Sequence, residues 1–186
     1  DPRYGQHQAR VWDVVFFGRD TAKHGGYRGR EGFRKWMAAQ FHDNVPYDRI
    51  VNKLLTAEED GSQRFYMQYD GAEETATAVS RTFMGTQLQC ARCHDHPFER
   101  WTQKDFYGMA GFFARLVVVP DGAAPKESPR FFIGEKSTGD VLFSVSAKPG
   151  KKGDPIKPKF LGGDELQEPE LPKDFVEPKL KDKEKP

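Results

Sequence analysis

One short motif constrains this chain more than any other feature. Cys90 and Cys93 are its only two cysteines, and the second is followed directly by His94 in the sequence CARCH. This C-x-x-C-H spacing is the attachment sequence of c-type haem, in which both thiols form thioethers with the vinyl groups and the imidazole ligates the iron. The motif therefore predicts one covalent haem c with His94 as the proximal iron ligand.

Three other interpretations of the cysteines stay open. A thioredoxin-like redox pair belongs at a helix N-terminus after a strand, whereas this pair follows a helical stretch. A structural zinc site needs four ligands, so His96 would have to join the three residues of the motif, and adjacent histidines crowd a tetrahedron. Two inert buried cysteines beside an ordinary histidine need no cofactor at all.

The second axial ligand is not marked by the motif. In small class I cytochromes it is usually a Met far downstream, but no Met or His follows Met109 here. The candidates are Met109, His24 and Met84, followed by Met67, His7 and His42. Met84 and Met109 lie on apolar helical stripes, where a Met more often fills the core. An iron without a sixth ligand is the alternative, and it would shift the expected function toward small-ligand or peroxide chemistry.

Polar residues beside the motif are candidates for tuning the haem from outside the coordination sphere. Asp95 and His96 can hydrogen-bond a propionate or the His94 imidazole, and Arg92 can pair with a propionate. Each also has a structural interpretation, with His96 as the cap of the turn ended by Pro97 and Arg92 as solvated surface charge.

Apolar residues at helical spacing predict about five helices. The predicted segments are 6–17, 33–41, 44–55, 72–84 and 102–116. Asn44 and Pro46 are expected to start the third, and Thr102 with Asp105 resembles a capping box at the start of the fifth. Aromatic residues make up 13% of the chain. A flat macrocycle packed by these rings would supply core volume that the aliphatic content lacks.

The composition changes after residue 119. The segment FFIGEKSTGDVLFSV, residues 131–145, has two short apolar runs separated by turn residues and predicts one small β-hairpin. The rest is rich in Pro and Lys and predicts an extended arm or linker. The expected organisation is a helical haem-binding domain at 1–120, a hairpin packed on it at 121–146, and the arm at 147–186. Apolar side chains of the arm that can pin it to the body are Ile156, Phe160, Leu161 and Phe175.

The charge balance limits the partners. Lys and Arg number 29 against 28 Asp and Glu, so no global field attracts nucleic acid or an anionic membrane. No apolar run approaches the roughly 20 residues of a membrane span. A redox partner protein or an adjoining domain, recognised locally, is expected. Basic residues that form either a docking face or only the wet side of a helix are Arg28, Arg30, Arg34 and Lys35.

Several stretches of the sequence also resemble a known family. They are YGQHQARVWD, NVPYDRIV, the segment from MGTQLQCARCHDHPF to GFFARL, and PIKPKFLGG, which together run from about Tyr4 to Gly163. They resemble the planctomycete-specific cytochrome-like domain of unknown function, which recurs in very large planctomycete proteins. The resemblance implies haem attachment, export to the periplasm or beyond, and a further domain after the arm. The signal peptide for that export is not visible in this chain, which opens with DPRY.

Together these features favour a mono-haem c-type cytochrome domain that passes single electrons to a redox partner outside the cytoplasm, as a carrier rather than a catalyst. One alternative is a haem enzyme or sensor with an open iron site. The other is a non-haem module whose C-x-x-C-H binds zinc or nothing. The sequence contains neither a phosphate-binding glycine loop nor G-x-S-x-G, so nucleotide and hydrolase functions have no support.

Overall fold

A computed structural model of the protein describes residues 1–18, 30–120, 131–143 and 153–169, and its fold is mainly helical. The described α-helices are α1 (Pro2–Phe17), α2 (Glu31–His42), α3 (Tyr47–Thr56), α4 (Ala72–Phe83) and α5 (Gln103–Gly111). Two 3-10 helices cover Ser62–Gln68 and Leu88–Arg92. The described strands are β1 (Leu116–Pro120), β2 (Phe131–Glu135), β3 (Val141–Phe143) and β4 (Asp154–Ile156). Within these ranges, no helix is long and apolar enough to cross a membrane.

The predicted mainly α class is confirmed, and three helix boundaries differ from the prediction by three residues or more. The first helix starts at Pro2 rather than at residue 6, because the Asp1 side chain caps its N-terminus. The third helix starts at Tyr47 rather than near Asn44, because Pro46 has an extended conformation with ψ of 142°. The fifth ends at Gly111, since the following run LVVVP is rich in β-branched residues and forms β1. The capping box at the start of this helix is confirmed, with Thr102 and Asp105 hydrogen-bonded to each other's backbone N–H.

The chain divides into two compact units, and the first comprises Asp1–Tyr69 with Phe131–Ile133. Its core is built from aromatic rings that pack on one another. The Phe33 ring meets Phe17 at 4.8 Å and Phe16 at 5.7 Å, both edge to face, and Phe65 lies 5.4 Å from Phe16. In such edge-to-face pairs the aromatic rings pack against one another, so no ligand is needed to fill the space between them. The aromatic surplus therefore does not require a haem to fill this core, contrary to the expectation from composition.

A buried charge cluster corrects the expected basic docking face. Arg30 is 6% exposed, and its guanidinium lies 3.8 Å from the carboxylate of Asp13. Arg34 reaches the same carboxylate at 3.6 Å, and Arg30 also donates to the Gly18 carbonyl. Both cations are thus turned inward by a buried acid on α1, while Arg28 lies outside the described residues. Arg30 and Arg34 do not form a solvent-facing patch.

The second unit comprises the described residues from Asp70 onward, apart from 131–133. Its hydrophobic cluster is Ala76, Leu88, Ala91, Phe106, Met109, Ala110 and Val141. These residues come from α4, the second 3-10 helix, α5 and β3, so one core holds together the elements that flank the C-x-x-C-H motif.

The two predicted strands are present, but they do not pair with each other. β1 pairs with β2, and β3 pairs antiparallel with β4 in the register Val141 to Ile156. Val141 and Phe143 point inward while Leu142 is exposed. The arm supplies β4, the strand that pairs with the edge of β3. β4 was not predicted from the sequence, because Pro155 disfavours a strand. A proline is nevertheless tolerated in a strand at the edge of a sheet.

The described part of the arm lies against α5. Lys159 donates its backbone N–H to the Gly108 carbonyl at 2.9 Å, and its ammonium group lies 3.2 Å from Asp105. Leu161 packs on the hydrophobic cluster, as expected, whereas the Phe160 side chain is half exposed. Phe175 lies outside the described residues, and the predicted domain limits at 120 and 146 stay predictions.

Candidate functional site

The C-x-x-C-H motif lies on and just after the second 3-10 helix. Leu88 and Ala91 are fully buried, while Cys90 and Cys93 are exposed and form no disulfide. A 3-10 helix has three residues per turn, so residues three apart lie on the same side. Leu88 and Ala91 therefore anchor the segment in the core, while Cys90 near the end of the helix and Cys93 just after it are both accessible to solvent.

His94 is also exposed. Its Nδ1 lies 2.7 Å from the carbonyl oxygen of Asp95. A carbonyl only accepts hydrogen bonds, so this contact favours the Nδ1–H tautomer of the neutral imidazole, in which Nε2 has the lone pair that a metal would use. This orienting bond is of the kind that fixes ligating histidines in metal sites.

The side chains of Asp95 and His96 are engaged with backbone N–H groups. Asp95 Oδ1 accepts from Gln103 at 3.0 Å, at the first residue of α5. His96 Nδ1 accepts from the backbone N–H groups of Phe98 at 3.2 Å and Glu99 at 3.0 Å. Both contacts match the structural interpretation, in which these residues fix the turn after the motif and the start of the next helix.

Arg92 is held at both its side chain and its backbone. The guanidinium lies 2.6 Å from the Glu73 carboxylate on α4, so it is engaged by a carboxylate of the protein. The Arg92 carbonyl accepts from the Tyr107 hydroxyl at 3.3 Å and from Gln103 Nε2 at 3.4 Å. These three partners could not be predicted from the sequence, because each contact joins segments whose spacing follows no local periodicity.

A cleft of about 380 Å³ opens beside Arg92. Its charged lining residues are Asp70, Glu73, Glu74, Arg92 and Asp140. Four carboxylates against one guanidinium give the cleft a negative field. Anionic groups, haem propionates included, are disfavoured on this side of the motif.

The structure separates the two methionine candidates for the second axial ligand from the exposed motif face. Met109 is 2% exposed and belongs to the same hydrophobic cluster as Leu88 and Ala91. Met84 is partly buried against that cluster. Either thioether would have to leave the core to meet an iron held by His94.

The remaining candidates for that ligand are distributed as follows. His24 lies outside the described residues, His7 and His42 are exposed on the first unit, and Met67 is partly buried there. The identity of the second ligand stays a prediction.

The zinc alternative requires several ligands to converge. Among residues 1–18, 30–120, 131–143 and 153–169, no group of three or more His, Cys, Asp or Glu side chains is arranged to hold a metal ion. His96 turns its Nδ1 to the backbone instead. The described geometry thus offers no tetrahedral site around Cys90 and Cys93.

Comparison with known proteins identifies the family. The PSCyt2 family model, described as a protein of unknown function (DUF1549), matches residues 1–117, which include the whole C-x-x-C-H motif. No curated protein and no solved structure matches the chain significantly. The matched segment covers well over half of the sequence. The chain therefore belongs to the PSCyt2 family of planctomycete-specific cytochrome-like domains of unknown function.

Proposed function

We propose that this chain carries one haem attached covalently to Cys90 and Cys93, with His94 as proximal iron ligand. In this proposal it transfers single electrons to a redox partner protein or adjoining domain outside the cytoplasm. The observation that carries the proposal is the solvent exposure of all three residues that would hold the haem. Two exposed, unbridged thiols and an exposed imidazole with its Nε2 lone pair available follow one another on a segment anchored by Leu88 and Ala91.

The residues present fit the requirements of such attachment. Thioether formation needs two accessible thiols at the right spacing, and the exposure of Cys90 and Cys93, three residues apart, supports it. The bond from His94 Nδ1 to the Asp95 carbonyl orients the imidazole and increases the basicity of Nε2. Haem, when bound, would supply an iron couple that gains or loses one electron; Cys90 and Cys93 would hold it covalently, and His94 would ligate the iron.

A second candidate function follows from the burial of the methionines. Met109 belongs to the buried cluster of the second unit and Met84 packs partly buried against it, so both thioethers are engaged in packing. An iron held by His94 with its opposite position open would bind small ligands such as carbon monoxide, cyanide or peroxide. This candidate uses the same attachment residues and differs only in the sixth ligand.

The test begins with coexpression of the chain and cytochrome c maturation machinery. Intact mass spectrometry under denaturing conditions should show the mass of one added haem, and C90S/C93S should show none. H96N, which changes a neighbouring histidine outside the C-x-x-C-H motif, serves as the matched control and should keep the haem. An unmodified wild-type mass, from cells that load a control cytochrome, would overturn the proposal.

The sixth ligand separates the two functions. In the electron-carrier form the haem is reduced and oxidised reversibly in a one-electron titration, and carbon monoxide leaves the spectrum of the reduced form unchanged. A carbon monoxide complex formed at stoichiometric concentration would instead establish the open iron site and replace electron transfer with ligand chemistry.

A further inference from the structure

Arg92 lies between the two cysteines, and its positive charge is paired with the carboxylate of a second residue. Its guanidinium meets the Glu73 carboxylate at 2.6 Å. Glu73 belongs to the first turn of α4, and Arg92 is the last residue of the 3-10 helix that carries Cys90. The ion pair thus joins the motif segment to a helix outside it.

The solvent exposure of the two side chains limits how much this ion pair can contribute to folding stability. The side chains of Arg92 and Glu73 are 46% and 32% exposed, and ion pairs at such positions contribute little to folding stability. Their position matters more, because Arg92 directly precedes Cys93. A charge within a few ångströms of a partly desolvated redox centre interacts with it strongly.

The Tyr107 hydroxyl completes the polar cluster around Arg92. It donates to the Arg92 carbonyl, and its ring packs against Phe143 with centroids 5.0 Å apart. Burial raises the pKa of Tyr107 first, and the negative charge of Glu73 raises it further, while Arg92 opposes them. Glu73, Arg92 and the Tyr107 hydroxyl therefore lie within electrostatic reach of one another beside Cys93.

We propose that Glu73 is a positioning residue of the C-x-x-C-H segment, which holds the Arg92 guanidinium and cancels its charge beside the bound haem. This inference rests on the proposed function. A positive charge near the iron disfavours the ferric form, so an uncompensated Arg92 would raise the midpoint potential. Glu73 keeps the potential below that value and restrains the backbone between the two cysteines.

The central experiment is a double-mutant cycle on the haem-loaded protein. E73Q should lower the ratio of oxidised to reduced haem at a fixed poise about threefold, which is about 28 mV for a one-electron couple. R92Q leaves Glu73 uncompensated and should shift the ratio in the opposite direction. The double variant E73Q/R92Q should return close to wild type. A residue that only supports the fold would not produce shifts of opposite sign that cancel.

A neighbouring carboxylate provides the matched control. Glu74 lies on the same turn and lines the same cleft, but its carboxylate accepts from the Asp70 backbone N–H rather than from Arg92. E74Q makes the same change in net charge one residue away. It should shift the potential by less than half as much as E73Q, and an equal shift in the two variants would overturn the specific role of Glu73.

A second readout needs no haem. Hydrogen–deuterium exchange on the apoprotein should become about threefold faster in the peptide covering 88–95 in E73Q and in Y107F, but not in E74Q. Unchanged exchange in E73Q would overturn the positioning role. If the wild-type chain never acquires haem, the proposed function fails, yet the exchange comparison still decides whether Glu73 restrains the motif.

Discussion

Lys159 of the C-terminal segment lies directly against Gly108 of α5. A Cβ atom placed on Gly108 would be 2.9 Å from the Cβ of Lys159, and one on Gly111 would be 3.0 Å from the backbone of Pro158. These two glycines lie three residues apart on one helix, and together they form a notch for an extended segment. The close approach depends on the absence of side chains, so α5 tolerates two poor helix formers for the sake of packing.

The notch predicts opposite outcomes for two glycine-to-alanine substitutions. G108A forces Lys159 away from the helix and should destabilise the protein by about 1–3 kcal/mol. G32A introduces the same methyl group on α2, where nothing lies within 4 Å, and should be neutral or stabilising by up to about 1 kcal/mol. Thermal unfolding measures both, with a shift of roughly 2–4 °C per kcal/mol for a chain of this size. Equal melting temperatures for the two variants would contradict the described packing of the arm.

The Asp105 carboxylate of the same helix should make the stability of the protein depend on pH. Burial alone would raise the pKa of Asp105, but hydrogen bonds from the Thr102 backbone and hydroxyl and from Lys159 outweigh it and bring the pKa below its ordinary value of 3.8. The carboxylate therefore contributes stability above that value, and the contribution is lost as the pH falls through the lowered folded-state pKa. D105N should reduce the unfolding free energy by about 1 kcal/mol at pH 7.

The difference between wild type and D105N should shrink as the pH falls below the ordinary carboxyl pKa of 3.8 and through the lowered pKa of the folded state. Urea unfolding at neutral and acidic pH checks this, with K104Q as a control on the exposed side of α5. A difference that grows toward acidic pH would contradict the assigned direction of the pKa shift.

The two sides of the motif segment should respond differently to substitution. Cys90 and Cys93 are exposed, so C90S/C93S should abolish haem attachment and leave the apoprotein as stable as wild type. Ala91 lies between them and is fully buried, so A91V should overpack the cluster at a cost of about 1–3 kcal/mol. Circular dichroism melts of the two apoproteins make the comparison. Loss of the fold in C90S/C93S would show that the cysteines belong to the core.

Asp13 should be the most sensitive charge of the first unit. Its carboxylate is 5% exposed and faces Arg30 and Arg34, so D13A would leave buried guanidinium charge uncompensated at a cost of about 3 kcal/mol. E168Q breaks a more exposed ion pair, at 2.6 Å from Arg115, and should cost less than about 1 kcal/mol. Chemical denaturation ranks the two, and a smaller effect for D13A than for E168Q would contradict the buried cluster.

The fold class and the C-x-x-C-H motif could be recognised from the sequence, because both depend on local patterns. Helical spacing located the α-helices, and the capping box of Thr102 and Asp105 was recognisable three residues apart. The pairing of β3 with β4 was missed, since the partner is a three-residue segment containing Pro155. Strand pairing between distant segments depends on tertiary packing, which periodicity does not encode.

The same distinction applies to the candidate site. Cys90, Cys93 and His94 are identified by spacing alone, and in the structure all three are exposed. Glu73 was visible in the sequence only as an acidic residue in a first helical turn, which is common at helix N-termini. Its pairing with Arg92 arises from the way α4 and the 3-10 helix pack around one cluster.

An alkaline pyridine haemochrome spectrum shows directly whether haem is attached covalently to Cys90 and Cys93. The chain is produced with cytochrome c maturation machinery and extracted with acid acetone before the spectrum is recorded. We expect haem to stay in the protein fraction with a c-type reduced band and to disappear from it in C90S/C93S. A colourless wild-type protein, from cells that mature a control cytochrome, would rule out covalent haem at this motif.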